Sequence, residues 1–329
     1  MMKIAVIFSE TAIPDLFSVK TLDGLKKLGD VVLNSGKATV ESLKETIKDA
    51  DVAVTSWGTP PLSAEILGCA PNLKLLIHAA GSVKPIVTDE FWKHGIKLIN
   101  SAKPLGEGVA ETALGFTITA SKNFYNLNAE IHNGGYRKGY DEIRELYDRT
   151  VGVIGTGWAG RHYLKLMQNF NVDLIACDPY ISAETLAEYN TRKVELDELL
   201  SASDIVSIHA PSIPETYRMI NAETLKLMKP DAVLINTARG SLIDENALYE
   251  HMAAGNLKYA CLDVYDPEPP SADSPLRNLP NCIMTPHLAG LAANGKLRLG
   301  AHTLYIIDLY TKGEKLPCEV TEDMLATMA

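Results

Sequence analysis

Apolar and polar positions in residues 3–100 alternate between two periods, that of a buried strand and that of an amphipathic helix. Apolar residues three and four positions apart predict helices over Ser18–Leu28, Val40–Ala50 and Asp89–His94. Short apolar runs between these segments predict five strands: Ile4–Ser9, Val31–Asn34, Asp51–Thr55, Leu73–His78 and Ile96–Asn100. Strands that alternate with helices are typical of parallel βαβ units, whose sheet is covered on both faces.

The same alternation restarts in the second half of the chain, after a segment of a different kind. Residues 107–133 contain no proline and predict one long helix, which is followed by a tyrosine-rich, charged stretch, Tyr136–Tyr147. Six further apolar runs predict six strands: Val151–Ile154, Asp173–Cys177, Ile205–His209, Ala232–Asn236, Tyr259–Leu262 and Cys282–Met284. Strands in series with helices between them predict a doubly wound sheet.

The two runs of strands predict two doubly wound α/β domains, which cover 1–101 and 102–290. The length agrees, because 329 residues make roughly two domains of about 150 residues each. Apolar positions in 291–329 have helical spacing, and either domain could bury that face. We predict that this C-terminal helix packs back on the first domain.

Composition and charge exclude several classes of protein. Hydrophobic residues make up 46% of the chain and charged residues 22%, which excludes a disordered, collagen-like or coiled-coil chain. The formal net charge is −10, from 31 Lys+Arg and 41 Asp+Glu, so we expect no nucleic-acid partner and no membrane partner. No apolar run approaches the roughly 20 residues that cross a bilayer.

The cysteines and the start of the chain bear on the cellular compartment. The five cysteines are scattered and form no Cys-x-x-Cys pair. The first apolar run, Ile4–Phe8, is too short for a secretion signal and is interpreted as a strand. Unpaired cysteines without a secretion signal are typical of the reducing cytoplasm, so we expect a cytoplasmic protein with no structural zinc or other metal site.

A glycine-rich turn directly follows the strand predicted at Val151–Ile154. Gly155, Gly157 and Gly160 have G-x-G-x-x-G spacing there. The first glycine permits a tight turn, the second lets the backbone approach a pyrophosphate, and the third lets the next helix pack closely on the strand. The N–H groups at the start of that helix attract an anion. We therefore predict a dinucleotide-binding loop.

Asp178 ends the next predicted strand, 18 residues beyond Gly160. A carboxylate there can accept hydrogen bonds from both ribose hydroxyls of NAD and would repel the 2′-phosphate of NADP. Asp178-Pro179 is also a turn signal, and the two roles are compatible. Within the predicted cofactor-binding loop, Trp158 and Ala159 precede Gly160; Trp158 either covers the pyrophosphate or packs at a domain interface.

Three polar segments follow strands of the second predicted sheet, at the edge where open α/β sheets bind ligands. They are Asn236–Ser241, Asp263–Pro270 and Thr285–Gly290, and they supply one arginine, several acids and one histidine. A guanidinium can hold a substrate carboxylate at two points. An imidazole titrates near neutral pH and can protonate a forming alkoxide, and a paired carboxylate orients it. Such a set suits hydride transfer to a 2-keto acid.

With these motifs in this order, the sequence resembles the NAD-dependent D-isomer-specific 2-hydroxyacid dehydrogenases over essentially the whole chain, most strongly over 151–290. The resemblance implies a Rossmann-type cofactor domain, a smaller flavodoxin-like substrate domain, NAD as cofactor and a homodimer formed largely through the cofactor domains. It implies that Arg239 binds substrate, that Glu268 supports the histidine and that His287 is the general acid and base. It implies cofactor contacts from Ala210, Pro211, Thr237, Ala238 and Asp263, the last of which would hold the nicotinamide carboxamide.

Some of these assignments have alternatives. Asp266 lies in the same loop as Glu268 and is a second possible partner for His287. The family pattern places the acid just before a proline, which favours Glu268. His209 and His78 also end predicted strands; we interpret His209 as a cofactor-side residue and His78 as a candidate pocket residue.

The first domain departs from the family pattern. Family members usually carry a glycine-rich turn followed by an Asp-Asn-Ile-Asp-like run, and the N–H groups of that turn hold the substrate carboxylate. Gly81 and Ser82 can present such groups here, but Lys84 stands where the first Asp is expected. Lys84 is either solvated or adds positive charge beside the pocket. Trp57 either contacts the side chain of the substrate or belongs to the core.

The sequence therefore predicts an enzyme that reversibly reduces a 2-keto acid to a D-2-hydroxy acid with NADH. The first alternative is an NAD(H)-sensing regulatory protein on the same scaffold, which would keep the same residues and lack significant turnover. The second is another Rossmann enzyme, such as a formate dehydrogenase-like protein. That class replaces the Glu beside the His, so Glu268 argues against it.

Overall fold

Two α/β units divide the chain in the computed structural model, which describes residues 1–328. Unit 1 comprises Met1–Leu105 and the chain from Leu291 onward, and unit 2 comprises Gly106–Gly290. The first boundary follows Leu105, whereas the sequence predicts it after residue 101. The observed boundary falls inside the helix Ala102–Ser121. Ala329, the last residue of the predicted C-terminal segment, lies outside the described residues.

The strands are numbered along the chain. Thirteen occur within residues 1–328: β1 (Lys3–Val6), β2 (Asp30–Leu33), β3 (Val52–Thr55), β4 (Leu75–His78), β5 (Lys97–Asn100), β6 (Arg149–Ile154), β7 (Val172–Cys177), β8 (Thr191–Lys193), β9 (Ile205–Ile208), β10 (Val233–Asn236), β11 (Tyr259–Leu262), β12 (Cys282–Met284) and β13 (Glu319–Val320). The sequence predicts β11 and β12 with the observed bounds. The other predicted strands differ at their ends by one to three residues.

The helices are numbered in the same way. The α-helices within residues 1–328 are α1 (Ile13–Leu16), α2 (Val19–Leu28), α3 (Val40–Ile47), α4 (Ala64–Leu67), α5 (Asp89–Lys93), α6 (Ala102–Ser121), α7 (Phe124–His132), α8 (Trp158–Met167), α9 (Ala183–Ala187), α10 (Leu196–Ala202), α11 (Ala222–Leu225), α12 (Glu245–Ala253) and α13 (Ala293–Thr311). Side-chain caps begin several of them; for example, the Ser18 hydroxyl accepts the N–H of Thr21 at the start of α2.

The sheet of unit 1 has the order β13-β5-β4-β3-β1-β2. Strands β1 to β5 are parallel in the flavodoxin-like order 2-1-3-4-5, and β13 pairs antiparallel with β5 at the edge. The sequence misses β13, because two residues at a sheet edge carry no periodic signal.

The sheet of unit 2 has the order β8-β7-β6-β9-β10-β11-β12, and all its strands are parallel. This is the Rossmann order 3-2-1-4-5-6 with one more strand, so the predicted fold class is confirmed. The order reverses between β6 and β9, and ligands of such sheets bind beyond the carboxyl ends of the strands at that reversal. The glycine loop follows β6.

The prediction of six strands in this sheet is wrong by one. The missed strand, β8 (Thr191–Lys193), consists of three polar residues at the edge of the sheet. An edge strand has one free side and needs no apolar run, so its sequence resembles that of a loop.

The prediction of one long helix over 107–133 is also wrong. The segment forms α6 and α7, and Asn123 between them has a left-handed φ of 57°. Asn123 is fully buried; its amide nitrogen donates to the carbonyl of Gly139 at 3.0 Å, and its Oδ1 accepts the hydroxyl of Tyr259 at 2.7 Å. Asparagine tolerates the left-handed conformation, and these distant contacts select it here.

Each sheet is covered on both faces, because successive strand residues point to opposite sides. In β10, Val233 and Ile235 belong to one apolar cluster and Leu234 to the other. In β1, Ile4 and Ala5 divide in the same way between the two clusters of unit 1.

The C-terminal helix α13 packs on the sheet of unit 1. Leu299, Ile306 and Ile307 join the same apolar cluster as Leu25 of α2. A Cβ on Gly300 would lie 1.9 Å from the carbonyl oxygen of Leu16, so α13 approaches α1 backbone to backbone. Among the helices of residues 1–328, none combines the length and the apolar character that crossing a membrane requires.

Candidate active site

The glycine loop after β6 is tight at both ends and open in the middle. Gly155 has a φ of +84°, and a Cβ there would lie 2.6 Å from the Cα of Ala210. A Cβ on Gly160 would lie 2.1 Å from the carbonyl oxygen of Gly155. A Cβ on Gly157 would meet no atom within 4 Å. Because α8 begins directly after Gly157, the open position lies at a helix N-terminus, where N–H groups lack partners within the helix.

Asp178 anchors this loop. The residue is 8% exposed, and its Oδ2 accepts the backbone N–H and the hydroxyl of Thr156 at 2.7 and 2.8 Å. Its Oδ1 accepts the N–H of Tyr180 at 2.9 Å. A carboxylate has about four acceptor positions. The protein occupies three of them, so at least one position remains for a donor from outside the protein.

Trp158 lies at the first turn of α8. Its side chain is exposed, and the guanidinium of Arg161 lies 5.5 Å from its ring. Arg161 Nε also donates to the carbonyl of Thr156 at 2.8 Å. The backbone of the next residue, Ala159, contacts helix α6, because a Cβ on Gly106 of that helix would lie 2.9 Å from the Ala159 nitrogen. The indole is therefore held beside the open glycine position.

Two buried polar atoms at the same edge of the sheet have no hydrogen-bond partner within residues 1–328. They are Thr237 Oγ1, after β10, and His209 Nδ1, after β9. Burial lowers the pKa of His209 to about 3, so the ring is neutral, and its Nε2 lies 2.9 Å from the hydroxyl of Ser207. Unpartnered buried polar atoms are rare and call for a partner from outside the protein. With the open Gly157 position, Thr237 fits a bound dinucleotide.

The remaining predicted cofactor contacts also lie in the loops at the carboxyl edge of the unit 2 sheet. Ala210 is buried against Gly155, and Pro211 follows it directly after β9. Ala238 is 9% exposed, and its N–H donates to Oδ1 of Asn236 at 3.0 Å.

His287 and Glu268 form a direct pair. His287 Nδ1 lies 2.8 Å from Glu268 Oε2, and both side chains are accessible to solvent. Because the partner is a carboxylate, Nδ1 is the donor and Nε2 is left for a reacting group. Glu268 Oε1 accepts the N–H of Tyr265 at 3.0 Å. Asp266, the alternative partner, instead directs its own N–H to Glu245 Oε1 at 2.9 Å.

The backbone at His287 is in the left-handed region, with a φ of 51°. Its N–H donates to the carbonyls of Asp263 and Thr285, at 2.8 and 3.1 Å. Such a conformation is strained for a residue other than glycine and persists only where the surroundings enforce it. The strain occurs at the one residue that the sequence predicts as the general acid and base.

Asp263 provides much of this enforcement. The side chain is fully buried; Oδ1 accepts the hydroxyl of Thr285 and the N–H of Leu288, at 2.5 and 2.9 Å, and Oδ2 accepts the N–H of Ala289 at 2.8 Å. Three of about four acceptor positions are therefore used to fix the His287 turn. One position remains for the nicotinamide carboxamide that the resemblance implies.

Arg239 lies within electrostatic range of Glu268. Burial lowers the pKa of its guanidinium, and the negative charge of Glu268 acts in the opposite direction. The guanidinium donates to the carbonyl of Ala238 at 2.6 Å, and the amide of Asn236 donates to the carbonyl of Arg239 at 2.8 Å. Unit 2 thus brings together the three predicted catalytic residues.

Gly81 and Ser82 belong to unit 1, in the loop after β4. A Cβ on Gly81 would lie 2.9 Å from a methyl group of Leu105. Lys84, in the same loop, is exposed. Trp57 is 41% exposed, so its alternative assignment to the core is wrong.

His78, the candidate pocket residue, is buried. It is 2% exposed, and its Nδ1 lies 2.9 Å from the hydroxyl of Thr55. Burial lowers its pKa to about 4, and a hydrogen bond with the backbone of Ser82 opposes that change. The neutral ring therefore braces the Gly81–Ser82 loop from within unit 1.

Two residues that contact the site were missed in the sequence. Thr156 binds Asp178, and Tyr265 binds Glu268 through its backbone. Thr156 lies between two glycines of the glycine loop, and Tyr265 lies between Asp263 and Asp266. The contact of Tyr265 is made by its backbone N–H, so no feature of its side chain could have revealed it.

Comparisons with known proteins identify the family and relatives of this chain. Residues 114–289 match the model of the D-isomer specific 2-hydroxyacid dehydrogenase, NAD binding domain. The chain is 35% identical over 292 residues to the D-3-phosphoglycerate dehydrogenase of Methanocaldococcus jannaschii, a match that covers 88% of this chain and 55% of that protein. It is 32% identical over 313 residues to the glyoxylate reductase of Thermofilum pendens, with 92% of both chains covered. The chain spans about half the length of the D-3-phosphoglycerate dehydrogenases that it matches.

Solved structures show the same fold. D-2-hydroxyisocaproate dehydrogenase matches with a TM-score of 0.81 at 26% identity, over 98% of this chain and 100% of that one. An acyclic imino acid reductase in complex with NADPH and D-Arg matches with a TM-score of 0.79, over 97% of this chain and 100% of that one. At 24% identity, this second likeness shows the fold alone.

Proposed function

Because the chain belongs to the D-isomer-specific 2-hydroxyacid dehydrogenase family, we propose that it is an NAD-dependent oxidoreductase that reversibly reduces a 2-keto acid to a D-2-hydroxy acid. The observation that carries the proposal is the pairing of His287 Nδ1 with Glu268 Oε2 at 2.8 Å, and the charge of Glu268 also acts on the guanidinium of Arg239. This pair lies on the same unit as an open glycine loop.

Arg239 binds the substrate in this proposal. Its planar guanidinium makes two parallel hydrogen bonds to the carboxylate, or one to the carboxylate and one to the keto oxygen. Either arrangement withdraws electron density from the keto group and stabilises the negative charge that develops on its oxygen. In unit 1, taken by itself, the proposed carboxylate donors are the backbone N–H groups of Gly81 and Ser82, in the loop after β4.

His287 transfers the proton. NADH, when bound, would supply a hydride to the keto carbon, and the keto oxygen would then need a proton. Glu268 holds Nδ1–H, so Nε2 is the ring nitrogen that remains to donate that proton to the forming alkoxide. In the oxidation direction the same Nε2 accepts the hydroxyl proton. Glu268 stabilises the charged imidazole and keeps the ring in one orientation.

The cofactor is held by the residues at the carboxyl edge of the unit 2 sheet. The open backbone at Gly157 and the first turn of α8 would take the pyrophosphate. Asp178 would take a ribose hydroxyl with its remaining acceptor position, Thr237 Oγ1 would donate to or accept from the cofactor, and Asp263 would take the carboxamide.

We expect NADH to be preferred to NADPH. Asp178→Ala should weaken NADH binding about 10- to 100-fold, because one hydrogen bond to a charged group is lost. The same variant should show a smaller preference for NADH over NADPH. Thr156→Val is the matched control, because it removes one loop contact and keeps the carboxylate. Fluorescence titration with both cofactors measures the effect. Equal binding of NADPH and NADH by the unaltered protein would contradict the assignment of Asp178.

A screen of NADH oxidation tests the proposed function. Glyoxylate, pyruvate, hydroxypyruvate, phosphohydroxypyruvate, phenylpyruvate and 2-ketoisocaproate cover small, polar, phosphorylated and bulky substrates. Steady turnover of any of them, with a product of D configuration, supports the enzyme. NADH binding without turnover across the whole set would instead support the NAD(H)-sensing regulator.

We further propose that the protein is a cytoplasmic homodimer. Its five cysteines are free thiols, which suits a reducing compartment. Unit 2 carries a run of exposed apolar side chains of the kind that marks a protein interface: Phe124, Ile131, Tyr136, Tyr140 and Tyr147.

Charge introduced into that surface should separate the subunits. We expect light scattering to give a dimer for the unaltered protein and an increased monomer fraction for Ile131→Glu, because a carboxylate would lose its hydration in the interface. Leu227→Glu, at another exposed position of unit 2, is the control and should remain dimeric. A monomer for the unaltered protein would refute the proposal.

A further inference from the structure

Tyr265 touches every segment that carries a predicted catalytic residue. It lies in the loop after β11 and is 6% exposed, with its ring in an apolar cluster of unit 2. Its backbone N–H donates to Oε1 of Glu268 at 3.0 Å. Its hydroxyl lies 2.9 Å from the carbonyl oxygen of Leu262 and 2.8 Å from that of Thr285. One hydroxyl proton is therefore shared between the end of β11 and the turn that carries His287.

The carbonyl of Thr285 is where Tyr265 acts on the histidine. That oxygen accepts the Tyr265 hydroxyl and also the N–H of His287, at 3.1 Å. His287 has the left-handed φ of 51°, so its conformation depends on such contacts. Removal of the hydroxyl would leave the 3.1 Å contact with the His287 N–H to hold this carbonyl, so the turn would be less restricted.

The arginine segment packs on the same residue. A Cβ on Gly240 would lie 1.9 Å from the carbonyl carbon of Tyr265, so the backbone that follows Arg239 rests directly on the backbone of Tyr265. On the other side, the next N–H, that of Asp266, is held by Glu245 Oε1 at 2.9 Å. The loop is therefore fixed from two sides, at Tyr265 by the arginine segment and at Asp266 by Glu245.

We propose that Tyr265 is a positioning residue, which through its hydroxyl and its backbone keeps Arg239, Glu268 and His287 in one relative arrangement. Burial raises the pKa of this phenol above its usual value, so the hydroxyl remains a donor throughout the working pH range. The expected effect on turnover rests on the proposed function, whereas the expected effect on the arrangement of the three residues does not.

The kinetic test is Tyr265→Phe, which keeps the ring and removes only the oxygen. Turnover is expressed per NADH-binding site, so partial unfolding does not enter the result. We expect kcat to fall roughly 10- to 100-fold, the effect of a misplacement of about 1 Å. The KM for NADH should be unchanged, because Tyr265 contacts none of the glycine loop residues.

Tyr259→Phe is the matched control. Tyr259 is a fully buried tyrosine of the same unit, and its hydroxyl donates to Oδ1 of Asn123 at 2.7 Å, on the α6–α7 connection. The Tyr259→Phe variant should be less stable than the unaltered protein but should have the same kcat. An equal fall in kcat for both variants, or no fall for Tyr265→Phe, would overturn the proposal.

A spectroscopic test needs no turnover. Long-range proton–nitrogen correlation spectra of histidine-labelled protein report which ring nitrogen carries the proton, and His287→Asn assigns the signal. We expect the Nδ1–H form in the unaltered protein and in Tyr259→Phe, and a mixture of both forms in Tyr265→Phe. Should no 2-keto acid be reduced, the proposed function fails and this spectrum alone decides the role of Tyr265; an unchanged Nδ1–H form would overturn it.

Discussion

Replacement of Arg239 by lysine will lower kcat/KM for every 2-keto acid by roughly 100- to 1,000-fold, the effect of removing one preorganised donor to a developing negative charge. Lysine keeps the charge but carries it as a point, without the planar two-donor geometry that matches a carboxylate. The Arg239 side chain is partly buried and is held by the carbonyl of Ala238, so a lysine could not reach the same position with two hydrogen bonds. NADH binding should be nearly intact.

Initial-rate kinetics and NADH titration measure this prediction. Arg192→Lys is the control, because Arg192 is an exposed residue of the edge strand β8 that pairs with Glu198 on the surface. Arg192→Lys should have unaltered kinetics. A lysine at 239 with unaltered kinetics would remove Arg239 from the substrate site.

Removal of the imidazole will be the most damaging single change. His287→Asn should lower kcat about 100- to 10,000-fold, the usual contribution of a general acid or base. Asparagine is the chosen replacement because it tolerates a left-handed backbone, so the turn with its φ of 51° is preserved. The loss can then be assigned to proton transfer rather than to a collapsed loop.

Glu268→Gln should have a smaller effect in the same direction, roughly 10- to 100-fold in kcat, since the ring is still hydrogen-bonded but loses its negative partner. Asp266→Asn is the matched control in the same loop, because only its backbone N–H enters the network. Its kcat should equal that of the unaltered protein. A fall for Asp266→Asn without one for Glu268→Gln would reverse the assignment of the partner.

Much of the fold could be predicted because it depends on local chemistry. A buried parallel strand needs an apolar run, so Tyr259–Leu262 and Cys282–Met284 could be located to the residue. The glycines at 155 and 160 have no room for a Cβ, and this steric requirement is visible as spacing in the sequence. The edge of the sheet at which the polar segments gather could be predicted as well, because the carboxyl ends of parallel strands lie on the same side of the sheet.

The elements that the sequence did not predict are those whose formation depends on residues elsewhere in the chain. The break at Asn123 depends on contacts with Gly139 and Tyr259, which is 136 residues away, and the segment contains neither proline nor a strong helix-stop signal. Strands β8 and β13 exist because a partner strand offers hydrogen bonds at an edge, and their own residues carry little pattern.

The sequence by itself determines which chemical groups stand at the carboxyl edge of the second sheet, because strand ends and motif order are local properties. The tertiary structure decides which of these groups meet. It pairs His287 with Glu268 rather than Asp266, uses the carboxylate of Asp263 to hold the histidine turn, and places the Tyr265 hydroxyl between two segments. Apart from the bond of Tyr265 to Leu262, these contacts join residues that lie 19 to 26 positions apart along the chain, and they depend on the backbone angles of the loops between them. Only the packed backbone fixes such angles, so no periodicity or spacing could have revealed them.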